Sequence, residues 1–425
     1  MKKKKAPLVR RMKEFVKTSV VWGPLDHNLF FTIIFLNVYG IIMVYSASYN
    51  NSITKNYSYF MNNQLKNVIF GFVIMIVASY VNYHRIVRLG WGWFWLLAAV
   101  AIIAALKTPL AHSELGATRW IKLGPVSFQA AEPIKAAIII FFAYYVSYWG
   151  LNRWYNQLLA CLLAIALLGF LFFFSNNLST VIVLFCICAV IILSSVKKPD
   201  LYVYFLIGLA LIIIAAIFVT VYLLMHQGAE NFRFVRIRAW LHPEEYAADE
   251  GLQAMQARYA IGAGGFWGKG LGQSLIKFKL SYSYNDFILA IICEELGVFG
   301  VIVMMTLFGY LLYRIYKIAQ NAWDIEGKVL AIGVFTQIAL QLLINVMVVT
   351  SVIPTTGVTL PFFSAGGTSV VFLLAELGMV LNVDKYAKER RFFEEAERHV
   401  AQMEQRGGIG AAGWRRRLDS ARTRR

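Results

Sequence analysis

Of 425 residues, 59% are hydrophobic and 15% are charged, against about 45–50% and about 25% in soluble domains. That much apolar surface exceeds what one soluble core buries, so lipid must cover the remainder. The net charge of +18 is carried largely by two flanks, Met1–Lys17 and Lys385–Arg425, with no aromatic or Gly-rich recognition pattern beside it, which excludes a nucleic-acid module along with a soluble enzyme.

A membrane-crossing helix takes about 20 mostly apolar residues. Runs that meet or approach this lie near 28–48, 64–82, 90–106, 134–150, 157–174, 178–195, 201–225, 286–314, 327–350 and 368–384. The expected fold is all-α, a polytopic integral membrane protein of about ten transmembrane helices. Lys2–Lys5 precede the first run as in a signal peptide, but the run is too long for a cleaved one and reads as an uncleaved anchor. Ten crossings put both termini on one side, and basic residues choose which. With the termini in the cytoplasm, 28 of the 41 basic residues fall inside. The chain divides into a basic cytoplasmic N-terminus (1–27), a transmembrane domain (28–384) and a basic cytoplasmic tail (385–425). The tails act as topology determinants that also lean on anionic headgroups.

Two long loops are expected outside, at 107–133 and, between helices 7 and 8, at 226–285. Long loops in compact proteins are usually functional or disordered; Trp120, Trp240, Phe266 and Trp267 favour segments folded on the membrane surface. Cys161, Cys186, Cys188 and Cys293 lie in apolar runs without metal-ligand spacing and read as buried small side chains.

Three clusters carry candidate chemistry. In the first, Gly116 to Gly124 precedes Gln129-Ala-Ala-Glu-Pro-Ile-Lys135. Arg119 and Lys122 are three apart, as are Glu132 and Lys135, so on a helix each pair shares a face. Pro133 suits a helix's first turn. The Glu132–Lys135 pair either sets span depth by snorkelling or forms an anion site, a reading the rigid guanidinium fork of Arg119 favours. The second cluster holds Arg233, Arg236, Arg238, Pro243, Gln253, Gln256 and the glycines between Gly262 and Gly272. No strand precedes that run and no Ser or Thr follows Lys269, so it is no phosphate-binding P-loop; it serves a close ligand approach or a re-entrant turn. Asp286 then opens the eighth span. A carboxylate at bilayer depth is paired or functional, so Asp286 is a catalytic or ligand-binding candidate, with helix N-capping the alternative. Glu294, eight residues on, lies roughly 12 Å deeper, and with Glu295 is expected to pair with basic residues. The third cluster, Asn345, Pro354, Gly357 and Leu360 to Ser369, reads as a re-entrant loop lining a cavity.

These blocks resemble the SEDS family (shape, elongation, division and sporulation proteins), peptidoglycan glycosyltransferases, over about Gly40 to Leu381. The matching pieces are Met43-Val-Tyr-Ser-Ala-Ser48, Gly116-Ala-Thr-Arg-Trp-Ile121, Gln129 with Glu132 and Lys135, and Leu178-Ser-Thr180. Gly262 to Gly272, Asp286-Phe-Ile288 with Glu294-Glu295-Leu-Gly297, and Leu360 to Ser369 complete the series. The chain departs from the family pattern at Gln129-Ala-Ala-Glu132, at Ser175 to Thr180, and at Leu280 to Asn285, where Tyr282 replaces a family Glu.

The resemblance implies polymerisation of lipid II at the outer face of a bacterial plasma membrane, for division or elongation. Asp286 is then the general base, Arg119 and Lys135 stabilise the diphosphate, and Glu132 orients Lys135. Substrate contacts are expected from Trp120, Lys122, Gln129, Arg238, Gln253, Lys269, Ser364 and Ser369. A divalent cation, Mg²⁺ or Mn²⁺, held in part by Asp286, and no organic cofactor are implied. So are partners: undecaprenyl-diphosphate-linked glycan, a class B penicillin-binding protein transpeptidase, and divisome or elongasome proteins. The alternatives are a lipid II flippase and a non-catalytic scaffold of a cell-wall complex.

Overall fold

The computed structural model describes residues 21, 23–48, 59–109, 111–114, 117–124, 126–175, 177–196, 232–246, 250–278, 285–365, 367–405 and 414–415. In chain order the helices are α1 (His27–Ser48), α2 (Tyr59–Tyr80), α3 (Tyr83–Val87) and α4 (Trp93–Ala105). A sheet of β1 (Ala111–Glu114), β2 (Ala117–Leu123) and β3 (Val126–Gln129) leads into α5 (Ala131–Trp149), α6 (Trp154–Ser175) and α7 (Leu178–Ser195). Then come α8 (Phe232–Leu241), α9 (Glu250–Gly264), α10 (Ile288–Gln320), α11 (Ile325–Val349) and α12 (Ser369–Gln405). Nine of the ten apolar runs coincide with helices; the run at 201–225 lies outside the described residues. Helices α1, α2, α6, α7, α10 and α11 are each long and apolar enough to cross a membrane.

Helix α5 is buried along most of its length, packed by α4, α7 and α11, while α10 packs on α1, α9 and α11. Helix α12 lies along α2, at a crossing only glycine permits. A Cβ on Gly378 would stand 2.5 Å from the Met75 carbonyl oxygen, in the manner of small residues at membrane helix interfaces. Some polar side chains inside the spans return to their own helices, since hydrocarbon offers no partner. Thr32 Oγ1 donates to the Asn28 carbonyl at 2.7 Å and Asn37 Nδ2 to that of Ile33 at 2.8 Å.

The antiparallel sheet, ordered β1-β2-β3, adds strands to the helical expectation. Its second hairpin turns at Gly124, with φ of +61°, and sets Trp120 opposite Gln129. On a strand, positions three apart alternate between faces. The shared face expected of 119 and 122 on a helix therefore does not form.

The end of the bundle away from Asp286 is tied by polar groups. Asp324 caps α11 by accepting from the Gly327 N–H at 2.8 Å. Its other carboxylate oxygen receives Tyr83 Oη at 2.5 Å and lies 2.8 Å from His84 Nε2. Arg88 and Ser147 meet Glu326 at 2.8 and 3.0 Å. Burial raises the Asp324 carboxyl, but hydrogen bonds from His84, the Gly327 N–H and Tyr83 outweigh it and hold the group below its usual range. Helix α12 runs unbroken to Gln405, across the boundary expected at 384. Charged helix formers and i,i+4 pairs, Asp384 with Lys388 and Glu394 with Arg398, sustain it beyond the apolar stretch.

Candidate functional site

The first turn of α5 holds Glu132, where the helix dipole favours a carboxylate, and Pro133, whose missing N–H costs nothing there. One turn on, Lys135 Nζ donates to Glu132 Oε1 at 2.9 Å. The two residues are 3% and 4% exposed, so the pair sits inside the bundle and does not snorkel to the interface. Glu376, on α12, lies within electrostatic reach of both. Its carboxylate accepts from Gln337 Nε2 at 2.8 Å, and its Oε1 is buried without a partner among the described residues.

In front of the pair is a cavity lined by Gln129, Glu132, Lys135, Asn177, Ser179, Thr180, Gln341 and Gly357 to Thr359. A second cavity shares Glu132, Gln341 and Thr359, and adds Leu360, Ser364 and Ser369. Residues from Gly357 to Ser364 thus wall a cavity, as the Pro, Gly and Ser content of this stretch led us to expect.

Asp286 is half-buried and stands just before α10, where Phe287 takes the cap position. Asn345 Nδ2 donates to the Asp286 carbonyl and to that of Val358, both at 2.9 Å. Ser364 Oγ donates to the Asn285 carbonyl and accepts from the Leu360 N–H, both at 2.7 Å. The backbone at Asp286 is therefore stitched to the loop that lines the cavity with Glu132 and Lys135.

Helix α10 is broken at Gly297, with φ of +66°. The Gly-rich stretch after α9 splints the break from outside. The Lys269 and Gly270 N–H groups donate to the Glu294 and Glu295 carbonyls at 2.9 Å each. The Gly265 and Phe266 carbonyls accept from the Val298 and Phe299 N–H groups at 3.0 and 3.1 Å. Contact this close needs glycine, since a Cβ on Gly268 would stand 2.2 Å from the Glu295 carbonyl oxygen. The run is a turn against a helix backbone, the second of its two readings.

The side chains of Glu294 and Glu295 are fully buried and paired, as expected. Glu294 accepts from Lys269 Nζ at 2.7 Å and from Ser274 Oγ at 2.5 Å. Glu295 accepts from Ser46 Oγ at 2.5 Å, with Lys277 Nζ 3.6 Å away. The Lys269 ammonium, expected to meet substrate, is here engaged by Glu294.

Arg119 lies on β2, next to half-buried Trp120; its side chain is outside what the structure describes. Lys122 is exposed, while Gln129, Ser364 and Ser369 line the cavities. Arg238 on α8 and Gln253 on α9 are half-buried, and Trp240 Nε1 anchors α8 by donating to the Ser351 carbonyl at 2.9 Å. The stretch 279–284, including Tyr282, is outside the described residues. Sequence reasoning missed Gln337, Gln341 and Glu376. The signal was available: Gln337, Gln341 and Asn345 recur at four-residue spacing in an apolar run, and Glu376 is an ionisable group inside a span. Among the described residues no group of three or more His, Cys, Asp or Glu is placed to hold a metal ion.

A bundle of apolar helices that folds a buried ion pair and a polar cavity into one end defines a polytopic integral membrane protein with an ionisable intramembrane site. The chain belongs to the FtsW/RodA/SpoVE family of cell cycle proteins, whose profile matches residues 26–389. It is 32% identical over 374 residues to the Bacillus subtilis protein named "Probable peptidoglycan glycosyltransferase FtsW", covering 85% of this chain and 91% of that one. It is 33% identical over 372 residues to stage V sporulation protein E of Bacillus subtilis, covering 84% and 96%. Two solved structures share the fold at 22% identity. One belongs to a peptidoglycan synthase complex (TM-score 0.70, covering 86% of this chain and 99% of that one). The other is Thermus thermophilus rod shape determining protein RodA (TM-score 0.61, covering 86% and 98%).

Proposed function

We propose that the chain is a peptidoglycan glycosyltransferase that polymerises lipid II, with the Asp286 end of the bundle facing outside the plasma membrane. One observation carries this reading: the buried Lys135–Glu132 pair opens onto a cavity whose wall is hydrogen-bonded, through Asn345, to the backbone of Asp286. The names of the FtsW relatives support it.

In the proposed reaction a sugar 4-hydroxyl attacks the anomeric carbon of a chain held on undecaprenyl diphosphate. The new glycosidic bond forms as the bond from that carbon to the diphosphate oxygen breaks. Asp286 accepts the hydroxyl proton, which a poor nucleophile must lose to react at neutral pH. The departing diphosphate takes the bonding electrons, and its growing charge is met by Lys135 and Arg119. Glu132 holds Lys135 in place and yields one of its hydrogen bonds when the diphosphate arrives. Asp286 would be the residue to hold a divalent cation, which would supply further charge neutralisation.

A flippase would need a polar path through the bilayer. The deep carboxylates that hint at one, Glu294 and Glu295, are consumed by Lys269, Ser274, Ser46 and Lys277, which favours the enzyme. A class B penicillin-binding protein is the proposed partner, supported by the fold shared with a chain of a synthase complex. Purified protein in liposomes with lipid II tests the reading: glycan chains without translocation are expected, and translocation without chains would replace it with the transporter.

A further inference from the structure

Helix α11 carries three amides on one face, Gln337, Gln341 and Asn345, at successive four-residue steps of about 6 Å each. All three are buried, at 0%, 7% and 0% exposure. The outer two spend their amide donors inside the fold: Gln337 on the Glu376 carboxylate at 2.8 Å, Asn345 on the Asp286 and Val358 carbonyls at 2.9 Å, while their amide oxygens find no partner among the described residues. The middle one does not. The Gln341 side chain makes no hydrogen bond among the described residues, although it borders both cavities, beside Glu132 and Thr359. Two neutral groups nearby are engaged. Asn177 caps α7 by accepting from the Thr180 N–H at 3.3 Å, and Ser179 Oγ donates to the Thr356 carbonyl at 2.8 Å.

We infer that Gln341 is a substrate-binding residue that reads the sugar rather than the diphosphate of the lipid-linked saccharide. The Gln341 side chain keeps a little exposed surface and lies on the walls of both cavities, so its amide is open to a partner from outside the fold. Diphosphate oxygens only accept, and the neighbouring Lys135 ammonium supplies donors for them. A primary amide offers a donor and an acceptor together, matching a sugar hydroxyl or acetamido group, which does the same. Gln337 and Asn345, one turn to each side and already tied, hold α11 so that this amide faces the cavity.

The inference rests on the glycosyltransferase reading, and its test separates the two. Full-length Gln341→Leu and Lys135→Ala proteins are purified beside wild type. Affinity is measured for lipid II and for undecaprenyl diphosphate, which shares the diphosphate and tail but lacks sugar. Gln341→Leu is expected to weaken lipid II binding about tenfold, the worth of one lost hydrogen bond to a buried group, and to leave undecaprenyl diphosphate binding within about twofold of wild type. That retained binding also shows that the variant folds. Lys135→Ala is expected to weaken both ligands. Unchanged lipid II affinity in Gln341→Leu, or an equal loss for both ligands, overturns the sugar contact. Wild-type protein that binds lipid II through Gln341 yet builds no glycan would remove the glycosyltransferase reading and leave this contact standing.

Discussion

Lys135 Nζ lies 2.9 Å from Glu132 Oε1 one turn away on α5, both side chains are buried, and the other side of the pair borders a cavity. Removing one partner strands a buried charge, typically at about 3–5 kcal/mol, whereas replacing both with neutral groups is often tolerated. Lys135→Met is therefore expected to lower thermal stability sharply, and Lys135→Met with Glu132→Gln to recover most of it. Neither variant should make glycan if Lys135 meets the diphosphate. Glycan synthesis by the stable double variant would show that the pair is structural alone.

Asp286→Asn keeps the backbone carbonyl that Asn345 holds and removes only the basic oxygen. General-base catalysis typically contributes on the order of 10²–10⁴, so glycan formation should fall by that factor while Tm and substrate binding stay close to wild type. Full turnover in the purified variant would move the base elsewhere.

The Gly-rich stretch gives a paired test. Gly268 has a φ of +78° and faces the Glu295 carbonyl oxygen, 2.2 Å from where a Cβ would sit; Gly262, on α9, has open space. Gly268→Ala should cost about 2 kcal/mol or more. Gly262→Ala should be neutral or stabilise by up to about 1 kcal/mol. Thermal unfolding of the two variants checks this, and equal Tm values would mean the splint across Gly297 is not rigid.

Asp324, outside the membrane-spanning segments, has a carboxyl held below its ordinary value of 3.8. A depressed carboxylate stabilises the fold above its unfolded value, and that contribution fades as pH falls through the folded one. The Tm gap between wild type and Asp324→Asn should be open at about pH 5 and narrow as pH falls below 3.8 and on through the lower folded value. A gap that persists at the acid end would assign the stabilisation to something other than the ionised carboxylate.

The sequence alone determined the class of protein, the position of nine helices, and the nearness of Glu132 to Lys135. Each is a local property. Span length is a sum of side-chain transfer energies along about 20 residues, and an i,i+3 pair on a helix is adjacent whatever surrounds it. Tertiary structure decided which distant polar groups meet. Ser46 reaches Glu295 across 249 positions, and Asn345 reaches the Asp286 carbonyl across 59. Such meetings depend on how each helix is rotated and set in depth against its neighbours, which apolar packing of the whole bundle fixes and no local pattern records. The same reason separates Gln337, Gln341 and Asn345. Their spacing is plain in the chain, but only the folded bundle ties two of them and leaves the third at a cavity.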